Sequence, residues 1–292
     1  MKVGFHALSL HKIQAQVVGE IAFVFWEKGF DIWFSSGLLK PLEKSFTPSF
    51  PYSVFSQDDD ISSFSLLLSL GGDGTILDSL LYAVPHQVPL LGVNFGRMGF
   101  LPNIISSKLA EVATILQEGR AEMTRRSLLE IELSEDNPFK SHNFALNEVS
   151  ITKKDTASMI TIQTYLNDEF LNEFWGDGLI VSTPTGSTGY SLSCGGPILW
   201  PQSKGLVLTP VSPHNLSMRP IVLPDDVVLR LLPKGRQQKI MISMDSRSRS
   251  VTINQAIRIK TSAKVALFFN VPGSSFSQIL REKLFWGKDL RN

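Results

Sequence analysis

The densest chemistry in this chain is the string Gly71-Gly72-Asp73-Gly74-Thr75. Its glycines let a backbone turn sharply and come close to a ligand. A helix that starts there offers unpaired N–H groups to phosphate. Asp73 is the odd member, because a carboxylate repels phosphate. It needs a task of its own: accepting a proton from a substrate hydroxyl, or holding a metal. A lone Asp-Gly supplies only a turn conformation. The whole string, at ordinary glycine usage, arises by chance in a chain of this length about once in a few thousand sequences. Function therefore outweighs a bare turn.

Four other stretches carry polar groups in unusual company. Asn147-Glu148 interrupts the apolar run Phe144–Ile151, where a buried carboxylate beside an amide is costly without partners. The stretch from Trp175 to Pro197 crowds glycines and small hydroxyls into a loop after a strand. Its hydroxyls and N–H groups suit a polar ligand such as a nucleotide, and Tyr190 offers a stacking face. Leu208–Val222 is a proline-rich loop with His214 and Arg219, and Asp245 stands at a strand end. Cys194 has no neighbouring histidine to activate it as a nucleophile. The acidic run Asp58-Asp59-Asp60 reads as a solvated turn, not a metal site.

These groups need elements to position them. The apolar run Phe64–Leu70 before the first string reads as a strand buried on both faces. After it, Ile76, Leu77, Leu80, Leu81 and Val84 fall on one helical face. Lys2–Leu8, Asp31–Phe34 and Val88–Asn94 read as strands, and Lys12–Lys28 and Lys108–Gln117 as helices. Ser35–Asp60, rich in Ser and Pro, reads as an irregular loop. Strands alternating with helices predict a parallel, doubly wound sheet, whose ligands sit beyond the carboxyl ends of strands. From Arg125-Arg126 to about Lys264 the pattern changes to short Ile-, Val- and Thr-rich strands punctuated by turns. That spacing predicts an all-β sandwich. A strand Val265–Asn270 and an amphipathic helix Phe276–Leu284 follow, the helix returning to the first domain. The expected division is 1–125 with 267–292 as an α/β domain, and 126–266 as a β-rich domain.

The bulk numbers narrow the classes. The chain has 292 residues, 43% apolar and 19% charged, with a net charge of +1. That balance gives no bulk attraction to nucleic acid or to a membrane surface. No run approaches the ~20 apolar residues of a membrane span. One cysteine excludes an intrachain disulfide and a cysteine metal cluster, and a cytoplasmic location fits.

Taken in order, these motifs resemble the NAD kinase family. The chain carries its glycine-rich turn at 71–75, the segment Gly92–Leu101, the Asn147-Glu148 pair, Gly176-Asp177-Gly178 followed by Thr183–Pro197, the loop 210–220 and the strand-end Asp245. Lipid kinases of the same superfamily share only the first. They would also want a membrane-facing basic amphipathic helix, which the sequence lacks. A non-enzymatic NADP(H)-binding regulator is the third class, separable by whether ATP is consumed.

The resemblance implies a two-domain α/β plus β-sandwich fold. It implies phosphorylation of NAD at the 2′-hydroxyl of the adenosine ribose, with ATP or polyphosphate as donor and Mg²⁺ or another divalent metal. It casts Asp73 as general base and Gly71, Gly72, Gly74 and Thr75 as holders of the donor phosphates. Asn147 and Glu148 would hold the adenosine part, beside Asp73 and Gly74. Phe100, Thr188 and Tyr190 would form the adenine pocket, with Gly189 and Ser193 alongside. Asp177 and Asp245 would bind at the nicotinamide end or across a subunit boundary, and the resemblance names no protein ligand for the metal. It further implies a homodimer or homotetramer. The chain departs from the family at Asp245-Ser246-Arg247, where Asp-Gly-Gln is common. It departs also at Leu81, where a basic residue is frequent, and at Cys194, where a small residue such as Ala is usual.

Overall fold

The computed structural model describes residues 1–95, 99–101, 103–135, 137–154, 158–270 and 275–284. The chain divides into two units, 1–125 with 266–292 and 126–265. The first contains β1 (Lys2–His6), α1 (Lys12–Glu27), β2 (Asp31–Ser35), α2 (Ser36–Glu43), β3 (Tyr52–Phe55), β4 (Phe64–Leu70), α3 (Asp73–His86), β5 (Leu90–Asn94), β6 (Asn103–Ile105) and α4 (Leu109–Gln117). Its strands are all parallel, in the order β3-β2-β1-β4-β5-β6. Strand order reverses between β1 and β4, and a doubly wound sheet opens its ligand crevice at such a point.

The two faces of β4 show why this sheet needs helices on both sides. Leu66, Leu68 and Leu70 join Val3, Phe5, Phe25 and Phe34 in one core cluster with residues of α1, α2 and α4. Leu67 is equally buried outside that cluster, as are Ile76, Leu80, Ala83 and Val84 of α3. α3 packs on β4 and β5. Burying both faces is what makes the β4 sequence a continuous apolar run.

The start of α3 is also tied to the sheet by polar groups. His6, buried at the end of β1, reaches Ser35 Oγ with Nδ1 at 2.9 Å and Asp78 Oδ2 with Nε2 at 2.8 Å. The carboxyl ends of β1 and β2 and the second turn of α3 are thereby fixed together.

The expected loop over Ser35–Asp60 is a partial misreading. It holds α2 and β3. Pro41 and Gly37 look like loop residues, yet Leu38 and Leu42, one helical turn apart, are both fully buried and hold α2 in place. β3 buries only Phe55, so it has no alternating pattern to read, and its pairing with β2 makes it a strand. The acidic run closes a turn: Asp59 accepts from Ser56 N–H and Oγ, and Asp60 accepts from Ser62 N–H.

The second unit begins within β7 (Met123–Leu133) and continues through β8 (Phe144–Ala145), β9 (Glu148–Lys153), β10 (Ile160–Leu166), β11 (Glu169–Gly176), β12 (Gly178–Ser182), the short helix α5 (Tyr190–Ser193), β13 (Leu206–Val211), β14 (Ile221–Leu223), β15 (Leu229–Lys234), β16 (Lys239–Met244), β17 (Arg247–Thr252) and β18 (Ile257–Phe269). β14-β13-β12-β9-β16-β17 form one antiparallel sheet, and β11-β10-β15-β18, with β7 and β8, supply the strands of the other. Val149, Leu179, Leu208 and Ile242 from one sheet and Leu129, Ile162, Leu231 and Ile259 from the other share a core, which makes this unit a sandwich. The two strands expected at 256–261 and 265–270 are one strand, β18. Its Thr- and Lys-rich middle gave no apolar signal, but the strand runs on, and its last residues from Ala266 belong to the first unit, where Phe268 pairs with Leu90 of β5. The helix α6 (Phe276–Lys283) closes the described chain, with Leu280 buried.

Candidate active site

The glycine turn stands at the carboxyl end of β4, at the reversal of strand order. Gly71 donates its N–H to Val93 O at 2.9 Å and has φ +156°, a value side-chain-bearing residues avoid. A Cβ there would lie 2.3 Å from Thr75 Oγ1, so glycine lets Thr75 fold back over the turn. Gly72 is the N-cap of α3 and, being glycine, offers no side chain to the first-turn N–H groups. Among the described residues, nothing lies within 4 Å of where a Cβ on Gly72 or Gly74 would be. The positive end of a helix beside this open space favours an anion.

Asp73 begins α3 and is half-buried. Its Oδ2 accepts the Phe100 N–H at 2.9 Å and its Oδ1 the Leu101 N–H at 3.3 Å. A Cβ on Gly99 would sit 1.8 Å from Oδ1, so the Gly99 backbone lies directly against the carboxylate. Each carboxylate oxygen has two lone-pair directions, and two N–H donors leave capacity for a proton. Residues 96–98 of this loop lie outside the described residues. Phe100 itself is half-buried in this unit.

In the second unit, the structure brings together Asn147, Glu148, Gly189, Tyr190 and Asp245. The apolar run Phe144–Ile151 breaks at Leu146-Asn147, between β8 and β9. The backbone groups freed by the break are all taken. Asp245 Oδ2 accepts from Leu146 N–H at 2.9 Å, and Oδ1 accepts from Asn147 at 2.7 Å and Glu148 at 3.3 Å. Thr183 donates Oγ1–H to Leu146 O at 2.6 Å and N–H to Asn147 O at 2.9 Å. The break resolves how one strand presents two neighbouring polar side chains, since alternation would have hidden one.

Gly186 and Gly189 let the following loop approach this pair. A Cβ on Gly186 would meet Asn147 O at 2.0 Å, and one on Gly189 would meet Glu148 Oε2 at 3.0 Å. Tyr190 N–H faces the Glu148 carboxylate and its ring is exposed. Glu148 Oε2 is buried without a partner. Burial, and secondly the neighbouring Asp245 charge, push the Glu148 carboxyl up to about 7. Burial likewise raises Asp245, against the three N–H groups and Arg247 that favour its charge.

Several hydroxyls of the 175–197 stretch serve the protein itself. Ser187 Oγ donates to Pro184 O at 2.7 Å and accepts from Leu199 N–H, and Ser191 Oγ meets Thr209 Oγ1 at 2.7 Å. Ser193 is exposed and Thr188 half-buried. Thr185 Oγ1 is buried without a partner. Asp177 pairs with Lys153 Nζ at 2.7 Å, so its charge is already matched.

The comparisons with known proteins bear on both halves. The family model "ATP-NAD kinase N-terminal domain" matches residues 40–121 and "ATP-NAD kinase C-terminal domain" residues 146–271. The NAD kinase of Flavobacterium johnsoniae is 40% identical over 294 residues, covering 100% of both chains. The chain belongs to the NAD kinase family. The NAD kinase of Flavobacterium psychrophilum is 44% identical over 82% of this chain and 83% of its own. Among solved structures, yeast NADH kinase complexed with NADH has a TM-score of 0.87 at 22% identity, over 100% of this chain and 89% of that one. An NAD kinase from Archaeoglobus fulgidus in complex with ATP has a TM-score of 0.71 at 22% identity, over 98% and 99%. These structures share the fold.

In this chain, sequence reasoning passed over three groups that hold the named ones. Gly99 admits Asp73, Gly186 admits Asn147, and Thr183 takes the carbonyls of the strand break. All three stand inside the motif strings, but no spacing rule says which carbonyl or carboxylate each approaches.

Among the described residues, no group of three or more His, Cys, Asp or Glu side chains could cage a metal ion. Mg²⁺ keeps much of its water and binds through substrate phosphates plus one or two carboxylates. α3 offers Asp73 and Asp78 as such carboxylates.

Proposed function

We infer that this chain transfers the terminal phosphate of ATP to NAD, giving NADP and ADP. The observation that carries this reading is the full-length match to NAD kinases, with a carboxylate standing in a phosphate-ready turn at the sheet's ligand edge. The acceptor is the 2′-hydroxyl of the adenosine ribose. Its oxygen forms the new bond to the γ-phosphorus, the bond from that phosphorus to the β–γ bridging oxygen breaks, and the hydroxyl proton passes to Asp73. The acceptor has a pKa far above neutral, so a placed base is needed as the bond forms. The N–H groups of Phe100 and Leu101 fix the carboxylate's direction.

Gly72, Gly74 and the open first turn of α3 hold donor phosphates, and Thr75 adds a hydroxyl. A divalent ion such as Mg²⁺, carried on those phosphates beside Asp73 or Asp78, would neutralise charge during transfer. Asn147 and the Glu148 carboxylate bind the adenosine hydroxyls and amide-like edges, with Tyr190 as a stacking face. We also place self-association in this reading. β14 is an edge strand with Ile221 and Val222 exposed, a surface that a second copy of the chain can cover.

Rates of NADP formation with ATP, and separately with polyphosphate, test the activity and the donor. Asp73→Asn is expected to lower kcat by about 10²–10⁴-fold while equilibrium titration still detects NAD binding. Near-normal turnover in that variant would remove Asp73 from the role of base.

A further inference from the structure

The hairpin between β16 and β17 carries two charged side chains that the phosphoryl-transfer chemistry does not use. The geometry points to Asp245 and Arg247 as positioning residues: together they clamp the chain break at 142–148 and so aim Asn147 and Glu148 at the NAD substrate. The inference rests on the reading above that these two side chains bind NAD.

The clamp grips one segment by both of its backbone polarities. Asp245 takes the N–H groups of Leu146, Asn147 and Glu148, and returns its own N–H to Glu148 O at 3.1 Å. Arg247 takes the carbonyls instead, with Nη1 on His142 O and Nη2 on Phe144 O. Its guanidinium also lies 5.6 Å from the centre of the Phe144 ring. A carboxylate accepts and a guanidinium only donates, so neither residue could do the other's part. Three consecutive N–H groups converging on one anion hold a backbone far more tightly than one bond would. Thr183 closes the opposite side, leaving the break with little freedom except in its two side chains.

Two further features mark the hairpin as built for this task. Asp245 has φ +52°, a left-handed conformation that a non-glycine residue adopts at a cost. The two-residue turn between Met244 and Arg247 sets that conformation, and the same turn carries the carboxylate to the N–H groups of the break. Arg247 also balances the Asp245 charge while its planar fork reaches two carbonyls at once.

Steady-state kinetics and equilibrium NAD titration on the full-length enzyme test the clamp. The variants are Asp245→Asn, Arg247→Met and Arg247→Lys, with Asn147→Ala as reference and thermal unfolding to verify folding. We expect the KM and Kd for NAD to rise about tenfold in Asp245→Asn and about threefold in Arg247→Met. The KM for ATP should stay unchanged and kcat should fall far less than NAD affinity. Arg247→Lys keeps a cation that can reach a carbonyl and should recover part of the loss. Parent-like NAD affinity in the folded Asp245 and Arg247 variants, while Asn147→Ala is weakened, overturns the clamp. Parent-like affinity in Asn147→Ala overturns instead the reading on which it rests. If Asp245→Asn fails to fold, the two Arg247 variants decide alone.

Discussion

The Phe100 backbone N–H donates to Asp73 Oδ2 at 2.9 Å, although the two residues are 27 positions apart. With the Leu101 N–H on the other oxygen, this bond fixes the direction of the one carboxylate in the glycine turn. The approach depends on residue 99 having no side chain. A Cβ there would lie 1.8 Å from Oδ1 and 2.3 Å from Cγ of Asp73.

Gly99→Ala should therefore damage chemistry more than stability. The carboxylate must swing away from the methyl, and misplacing a reacting group by an ångström costs about 10²-fold in rate. Initial rates at saturating NAD and ATP, with a melting curve beside them, check this. A folded Gly99→Ala enzyme with kcat within about twofold of the parent would show that Asp73 does not need this geometry.

The glycine turn, the strand before it and the helix after it could be read in the sequence, because both faces of β4 are buried and the apolar run is unbroken. α2 could not, since its evidence is two leucines among proline and glycine. The site divides the same way. Asp73, Asn147 and Glu148 announce themselves as carboxylates and an amide in apolar surroundings. What holds them does not. Asp245 was expected at a ligand, and its two oxygens are found on the N–H groups of Leu146 and Asn147, 99 and 98 positions earlier in the chain. Such pairings are fixed by the sheet register that sets β16 beside β9, which no local pattern contains.

Glu148 gives the second prediction, through its ionisation. Its carboxyl lies at about 7 in the folded chain, raised by burial and by Asp245. The unfolded carboxyl titrates near ~4.3. Between those values the folded state holds a proton that the unfolded state has lost, so stability falls as pH rises through this window. The penalty is complete above about pH 7 and absent below about pH 4. Its upper bound is about 4 kcal/mol at ~1.4 kcal/mol per pH unit, less what solvent screening removes. Glu148→Gln should thus be more stable than the parent by about 1–3 kcal/mol at pH 8, and equal to it at about pH 4. Urea midpoints across that range measure the gap, and a gap independent of pH would contradict the assigned ionisation. NAD affinity in the parent should rise with pH through about 7, as ligand hydroxyls favour the charged carboxylate, and that rise should vanish in Glu148→Gln.

Gly74 separates what the protein needs from what a ligand needs. It is exposed in the first turn of α3, with no described residue within 4 Å of the place an added methyl would take. Alanine is a better helix residue than glycine by about 0.5–1 kcal/mol, so Gly74→Ala should raise the melting temperature by a few degrees. If donor phosphates occupy that open space, the same methyl should lower kcat/KM for ATP by roughly tenfold or more, close packing against phosphate being the reason for glycine. Gly71→Ala should behave differently. Its φ of +156° and the Thr75 Oγ1 lying 2.3 Å from the added carbon make it a folding defect as well as a catalytic one. A Gly74→Ala enzyme that is more stable and uses ATP as the parent does would place the donor phosphates elsewhere.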